Sequence, residues 1–316
     1  MRLGLWNWRC ACRSRAVNDR VQKRFKTGSP VLFDGAIGSR LISMGLPAGR
    51  APEAWVIEQP ERIRKVHEEY ASAGAEVITT CSFGANRLRL QKVGLEDQIA
   101  EINRRAVQVA REAAGDRSFI AGDMGPTGEF FQPHGELTEK SAERVFQEQA
   151  GILAEAGIDF FLLETHYDLR EASICLSACK AVAPEIPVGV TLTFNMTAKG
   201  FFTVMGNPAA VALQDLADQG AFLVGSNCTL ETEGMLKLAS FLSSKIDAPL
   251  LFQPNAGSPQ ITKDCIVYPQ GPDEFARFAE GAMKLGIRAI GGCCGSEAEH
   301  IVAMRKVIDS RSSSRT

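Results

Sequence analysis

Three cysteines in the C-terminal third of the chain have side chains and positions that suit metal binding or thiol redox chemistry. Cys293 and Cys294 are adjacent in the segment Ala-Ile-Gly-Gly-Cys-Cys-Gly, which ends a short apolar run, and Cys228 ends another. If both runs are buried strands, three thiols meet at one edge of a sheet. This would leave a three-thiolate metal site with an open fourth position, as in catalytic zinc centres. A redox-labile vicinal disulfide and plain buried thiols remain alternatives, because Cys-Cys is less specific than paired Cys-x-x-Cys motifs.

Short apolar runs alternate along the chain with longer amphipathic segments, and these elements must position the cysteines. The apolar runs are residues 31–34, 76–82, 119–123, 160–164, 188–194, 222–228, 250–255 and 289–293. The amphipathic segments are residues 61–73, 97–113, 141–156, 169–182, 208–219, 231–243, 272–285 and 296–308. Short runs that are apolar throughout are typical of strands buried on both faces. The eight strand–helix units predict an α/β fold, a single-domain (β/α)8 TIM barrel, and favour it over a doubly wound open sheet.

Polar residues occur where the predicted strands end, and active sites of TIM barrels lie at these carboxyl ends. The residues concerned are Asp34, Cys81, Asp123, Glu164, Asn195, Cys228, Asn255, Cys293 and Cys294. A solvated rim would have a similar composition, but cysteine is seldom used for solvation. The cysteines therefore remain the candidate metal ligands.

Composition limits the classes of function. The 316 residues are 45% hydrophobic and have a formal net charge of −2 without a basic stripe, so no nucleic-acid partner is expected. The chain has no run of ~18 apolar residues, so no membrane-spanning segment is expected. Nine cysteines without a secretory leader indicate a reducing compartment. We expect a soluble, cytoplasmic protein.

The two ends of the chain differ from its middle. Residues 1–28 contain eight Lys/Arg and one acidic residue. This composition fits an organelle transit peptide, but a disordered extension or an upstream start codon is favoured. Residues 310–316 are rich in Ser and Arg and are predicted to be a disordered tail. The barrel is therefore expected to span residues 29–309.

Several short motifs resemble one family when they are taken together and in order. They are Asp-Gly-Ala-Ile-Gly-Ser from Asp34, Gly-Pro-Thr-Gly from Gly125, Glu164-Thr165, Asn227-Cys228, Pro-Asn-Ala-Gly from Pro254, and Gly-Gly-Cys-Cys-Gly from Gly291. Over about residues 30–308 the chain resembles the homocysteine S-methyltransferase family. Within it, the likeness is greatest to the homocysteine-binding modules of cobalamin-dependent methionine synthases.

The resemblance implies a metal, a substrate and a reaction. Family members bind Zn²⁺ through the cysteines that correspond to Cys228, Cys293 and Cys294. The residues that correspond to Asp34, Gly35 and Glu164 hold the amino acid part of homocysteine. Methyl transfer to the zinc-activated thiolate of homocysteine then gives methionine, with no catalytic residue beyond the metal ligands. A turn before a glycine is the alternative role of Asp34, and an ion pair at the barrel mouth is that of Glu164.

The resemblance also bears on the methyl donor. Gly295 follows the cysteine pair, where sulfonium-using relatives tend to have arginine, and this favours a methylcorrinoid carried by a separate corrinoid protein. Betaine or S-methylmethionine is the alternative donor. Two hypotheses from other functional classes stay open. The protein would be either a vicinal-thiol redox protein or a non-catalytic barrel that binds zinc and homocysteine.

Overall fold

The fold is a parallel barrel of eight strands, described by a computed structural model for residues 18–47, 49–261 and 266–313. The barrel strands are β1 (Val31–Leu32), β2 (Val77–Thr79), β3 (Phe119–Met124), β4 (Phe160–His166), β5 (Val188–Leu192), β6 (Leu223–Glu231), β7 (Leu250–Asn255) and β8 (Ala289–Ile290). They pair in parallel in the order β1-β8-β7-β6-β5-β4-β3-β2. A parallel bridge between Phe33 and Val77 joins β1 to β2. The predicted TIM barrel is confirmed.

Helices connect the strands and surround the barrel. In the described part of the chain they are α1 (18–26), α2 (Gly38–Ser43), α3 (Ala54–Glu58), α4 (Pro60–Ser72), α5 (Arg87–Gln91), α6 (Ile99–Ala114), α7 (Glu139–Ala156), α8 (Leu169–Val182), α9 (Ala209–Asp218), α10 (Thr232–Leu242), α11 (Pro272–Lys284) and α12 (Ala298–Ser313). The side chains of Asn86, Thr138 and Asp168 cap α5, α7 and α8 by accepting hydrogen bonds from backbone N–H groups. Such caps explain where these helices begin.

Two apolar layers hold the barrel together, one inside the sheet and one between the sheet and the helices. Strand β4 shows the division, since successive side chains of a strand point to opposite faces. Phe160 and Leu162 belong to the inner layer, whereas Phe161 and Leu163 pack in the outer layer. The apolar runs in the sequence are continuous because both faces of each strand are buried.

Helix α1 closes the N-terminal end of the barrel. Val21 and Phe25 are fully buried and belong to the inner apolar layer. The Phe25 ring makes edge-to-face contacts with Phe33, Phe160 and Phe222, at centroid distances of 6.0, 5.8 and 5.2 Å. The segment before β1 is therefore part of the fold.

The chain ends differ from the sequence prediction. Disorder is predicted for residues 1–28, but residues 18–26 form α1, because its apolar side chains fill the end of the barrel. The predicted disordered tail is likewise wrong for residues 310–313, which continue α12. Residues 1–17 and 314–316 lie outside the described residues.

Two short hairpins lengthen loops at the carboxyl end of the barrel. Asn195–Thr197 pairs with Gly200–Phe202 after β5, and Gln260–Ile261 pairs with Ile266–Val267 after β7. Neither hairpin is predicted from the sequence. Among the described residues, no helix has the length and apolar character needed to cross a membrane.

Candidate metal centre

The predicted metal ligands converge at the carboxyl end of the barrel. The sulfur atoms of Cys228, Cys293 and Cys294 lie within 4.8 Å of one another, and those of Cys228 and Cys294 are 3.9 Å apart. Cys228 lies on β6 and the adjacent pair follows β8, so the cluster bridges the two neighbours of β7. All three thiols are free and half-buried. The structure thus brings together the residues that the sequence selects.

The backbone at Cys228 leaves regular strand geometry. Cys228 and Thr229 have φ values of 60° and 61°, and the pairing of β6 with β7 shifts register around them. Strand β4 has the same feature, since Thr165, which follows Glu164, has a φ of 60°. Left-handed backbone is uncommon for residues other than glycine, and such strain concentrates at functional sites. Both irregular turns lie at the predicted site.

Backbone hydrogen bonds hold the Cys293–Cys294 segment against the end of β7. Cys293 N donates to Pro254 O at 2.8 Å, and Ala256 N donates to Cys294 O at 2.9 Å. The Ser296 hydroxyl donates to Cys293 O at 2.8 Å. The adjacent pair is therefore fixed by main-chain contacts on both sides.

The three thiols also share hydrogen bonds among themselves. Side-chain hydrogen bonds with Cys293 and Cys294 hold the pKa of Cys228 well below its usual range. The hydrogen bond with Cys228 in turn raises the pKa of Cys293 and of Cys294. Thiolate ligation requires deprotonated cysteines, so binding of a divalent cation would release thiol protons.

The donor set fits a zinc ion. The sulfur separations are compatible with three Zn–S bonds of ~2.3 Å to one ion. Asn255 ends β7, between the two cysteine-bearing strands, and its buried Oδ1 has no hydrogen-bond partner in the described part of the chain. A buried oxygen without a partner is costly, which makes it a candidate for the fourth position. Three sulfurs and one displaceable oxygen would leave the metal accessible to a substrate thiol.

Three carboxylates form a second group beside the cysteines. Nothing among the described residues donates a hydrogen bond to Glu164, and burial raises its pKa to about 8. Asp34 accepts a hydrogen bond from Thr79 N at 2.8 Å, and burial raises its pKa to about 7. Asp123 Oδ1 is buried and has no hydrogen-bond partner in the described ranges. Burial and then the Glu164 charge raise the pKa of Asp123. Because no described residue supplies a cationic partner for these carboxylates, this end of the site is suited to an ammonium group.

Gly35 allows two loops to approach closely. A Cβ on Gly35 would lie 2.8 Å from Ser296 Oγ and 2.8 Å from Tyr70 Cε1. The Tyr70 hydroxyl bridges the two loops, because it donates to Ala36 O at 2.7 Å and lies 3.0 Å from Ser296 O. Glycine at this position thus has a packing function in addition to its predicted place near the substrate.

One cavity of about 720 Å³ contains both groups. It is lined, among others, by Asp34, Gly35, Asp123, Glu164, Cys228, Cys293 and Cys294. Its volume lies in the range of ~300–1,000 Å³ typical of small-molecule sites. Phe83, Arg89 and Lys92 also line this cavity.

Sequence reasoning missed some residues of this site. Asp123 and Asn255 end predicted strands without an assigned role, and the structure places both at the site. Asn227 is fully buried next to Cys228, and only its position in the Asn-Cys motif points to it. Asn195, another predicted strand end, is instead exposed on the first hairpin.

Fold and site together define a TIM-barrel protein with a three-cysteine centre beside a carboxylate pocket. The family model described as homocysteine S-methyltransferase matches residues 31–308, which is most of the chain. The chain therefore belongs to the homocysteine S-methyltransferase family, and the predicted membership is confirmed.

Relatives of known name agree with this family. The methionine synthases of Mycobacterium leprae and Mycobacterium tuberculosis are each 27% identical, over 77% and 85% of this chain. The chain spans 21% and 24% of the length of these relatives. The structure of the homocysteine methyltransferase MmuM from Escherichia coli, in its metallated form, matches with a TM-score of 0.74 and 22% identity. That match covers 89% of this chain and 97% of the other and supports the fold.

Proposed function

We propose that this protein is a zinc-dependent homocysteine S-methyltransferase that methylates the thiolate of homocysteine to give methionine. The observation that carries the proposal is a single cavity that holds three converging cysteines together with carboxylates that have no cationic partner among the described residues. A thiol and an ammonium group are the two ends of homocysteine that such a cavity would bind. Family membership supports the same reaction.

Cys228, Cys293 and Cys294 would hold the metal, with Asn255 as a displaceable neighbour. When bound, Zn²⁺ deprotonates a coordinated thiol and thereby supplies a thiolate nucleophile at neutral pH. The three cysteine thiolates exceed the charge of the ion, so the substrate sulfur would retain much of its nucleophilicity. Main-chain hydrogen bonds to the segment of Cys293 and Cys294 would keep the ligands in place.

The amino acid end would be bound by the carboxylates and by backbone groups. Glu164 is the principal candidate for the substrate ammonium, because its carboxylate faces the cavity without a hydrogen-bond donor among the described residues. Asp34 would contribute charge while Thr79 holds it in place. Backbone N–H groups near Gly35 would receive the substrate carboxylate. We propose no catalytic residue beyond the metal ligands.

The proposed methyl donor is a methylcorrinoid on a separate corrinoid protein. The curated relatives are methionine synthases. Gly295 has a φ of 80°, and a Cβ there would lie 2.0 Å from Tyr268 Cγ. The arginine that sulfonium-using members tend to have at this position would therefore not fit this backbone.

A small donor such as betaine or S-methylmethionine is the second candidate. The observation in its favour is the cavity volume of about 720 Å³, which has room for homocysteine and another small molecule. A cytoplasmic location, and the lack of nucleic-acid and membrane partners, stay predictions.

Methionine formation tests the proposal. Anaerobically purified, zinc-loaded protein is incubated with homocysteine and free methylcobalamin, and we expect methionine with an equal loss of methylcobalamin. Product with betaine or S-methylmethionine alone would assign the second donor. Zinc and homocysteine binding without product from any donor would indicate a non-catalytic barrel. Thiol counts that change with redox state, in protein that binds no zinc, would indicate a vicinal-thiol redox protein.

Metal analysis tests the site separately from turnover. Cys228→Ala should lose most of the bound zinc, because two protein ligands remain of three. Cys175→Ala is the matched control, since Cys175 is buried on α8 and lies outside the cysteine cluster. The control should retain about one zinc ion per chain. Full zinc occupancy and activity in Cys228→Ala would refute the assignment of the site.

A further inference from the structure

The side chain of Asn227 is fully buried and contacts both Cys293 of the thiol cluster and Thr165, which follows Glu164. Its Oδ1 accepts hydrogen bonds from Thr165 N at 3.0 Å and from Thr191 Oγ1 at 2.8 Å. Its Nδ2 donates to Thr165 Oγ1 at 2.7 Å and to Cys293 Sγ at 3.6 Å. These contacts use both lone pairs of the oxygen and both hydrogens of the nitrogen. The orientation of the amide is therefore fixed, with its donor side toward the sulfur.

Both left-handed turns of the site contact this one residue. Cys228 follows Asn227 in the chain, and Thr165 makes two hydrogen bonds with the Asn227 amide, one through its N–H and one through its hydroxyl. Each turn has a non-glycine φ of 60°. Such conformations persist where surrounding contacts over-determine them. The paired hydrogen bonds to Thr165 are contacts of this kind.

We propose that Asn227 is a positioning residue that couples the metal ligands to the ammonium-binding carboxylate. Thr165 directly follows Glu164, so fixing the backbone of Thr165 also fixes the backbone position from which the Glu164 side chain extends. At the other end, the N–H···S hydrogen bond orients Cys293 for metal binding, and the adjacent turn presents Cys228. The substrate part of this inference rests on the proposed function, because it takes the ammonium ligand of Glu164 to be that of homocysteine.

A buried asparagine with satisfied hydrogen bonds could also serve folding alone. Substitutions of Thr165 distinguish that role from the positioning of the metal ligands. The Thr165 hydroxyl bonds to Asn227 and to none of the three cysteines among the described residues. An effect of that hydroxyl on metal affinity would therefore act through the Asn227 amide. Thr165→Ala removes the hydroxyl and keeps the N–H donor, whereas Thr165→Ser keeps both and is the matched control.

The first readout is metal binding by the full chain, measured by chelator competition for Zn²⁺ and by the thiolate-to-metal absorption of Co²⁺-loaded protein. We expect Thr165→Ala to weaken zinc binding by about 2–10-fold, as for one lost hydrogen bond, and to alter the Co²⁺ spectrum. Thr165→Ser should match the wild type. Asn227→Leu, which removes all four hydrogen bonds, should weaken zinc binding by about 10–100-fold, as other partners of metal ligands do.

The Thr165 pair keeps the inference testable if Asn227→Leu fails to fold. Wild-type zinc affinity and an unchanged Co²⁺ spectrum in Thr165→Ala would overturn it, as would equal defects in Thr165→Ala and Thr165→Ser. These readouts need neither homocysteine nor a methyl donor, so they stand apart from a failure of the proposed function, which would appear as a wild-type protein that forms no methionine. In active protein, Thr165→Ala should also raise the KM for homocysteine at saturating zinc, and Thr165→Ser should restore it.

Discussion

Replacing Phe25 with alanine tests whether α1 is an integral part of the barrel. The Phe25 side chain has 0% exposure and touches three other rings edge to face, with centroids 5.2 to 6.0 Å away. Truncation of a core phenylalanine costs ~3–5 kcal/mol through lost burial and the cavity left behind. Each edge-to-face pair contributes ~0.5–1.5 kcal/mol beyond burial, so we expect the upper half of that range.

This loss is large beside the ~5–15 kcal/mol by which folded domains are typically stable. For a chain of this size it should lower the unfolding temperature by roughly 5–15 °C. Thermal and urea unfolding followed by circular dichroism would measure the change. Zinc content should stay at the wild-type level below the transition, because Phe25 lies at the opposite end of the barrel from the cysteine cluster.

Phe130→Ala is the matched control, because the Phe130 side chain is 54% exposed. Its substitution should change the free energy of unfolding by no more than ~0.5 kcal/mol. If Phe25→Ala unfolded at the same temperature as this control, α1 would not fill the barrel end, and the correction to the predicted domain boundary would be wrong.

The remaining predictions concern the site and the sheet that carries it. Glu164→Gln should raise the KM for homocysteine by about 10–100-fold in steady-state assays while zinc content stays unchanged, because a neutral amide replaces a charged partner of the ammonium group; an unaltered KM would remove Glu164 from the binding site. Burial raises the pKa of Asp34 to about 7 and of Glu164 to about 8. Between the ordinary carboxyl pKa values and these raised pKa values, the folded state therefore binds more protons than the unfolded state. The ligand-free protein should therefore lose stability from about pH 5 to about pH 8, and Glu164→Gln should reduce this loss in thermal unfolding measured across that range. Gly225→Ala should give insoluble or zinc-free protein, because the new Cβ would lie 1.8 Å from Leu251 O and would force β6 away from β7. Gly151→Ala on α7, where the Cβ meets nothing within 4 Å, should instead raise the free energy of unfolding by ~0.5–1 kcal/mol in urea titrations.

Much of the barrel was predictable because burial on both faces of a strand leaves a continuous apolar run. Strands β3 (Phe119–Met124) and β7 (Leu250–Asn255) lie where the apolar runs predict them, within one residue at either end. Their carboxyl ends had to meet at one edge, since all eight barrel strands are parallel. Parallel strands therefore place Cys228 at the same end of the barrel as Cys293 and Cys294.

Other elements could not be inferred from periodicity. Helix α1 has many basic residues and resembles a solvated extension, yet Val21 and Phe25 are the residues that enter the barrel. Composition averages over the helix and does not reveal where two apolar side chains pack. The hairpins after β5 and β7 are similarly short, and their pairing depends on loop geometry that the surrounding sequence does not specify.

The amino-acid sequence by itself determined the barrel, the family and the thiol cluster, because strand burial, parallel strand order and cysteine placement all follow from residue type and spacing. Tertiary structure alone decided that Asp123 shares a cavity with Glu164, and that the Asn227 amide joins Thr165 to Cys293. Those relations depend on turns with positive φ and on distances of a few ångströms between strands far apart in the chain. Neither quantity has a signature in hydrophobic periodicity, so only the folded chain could reveal them.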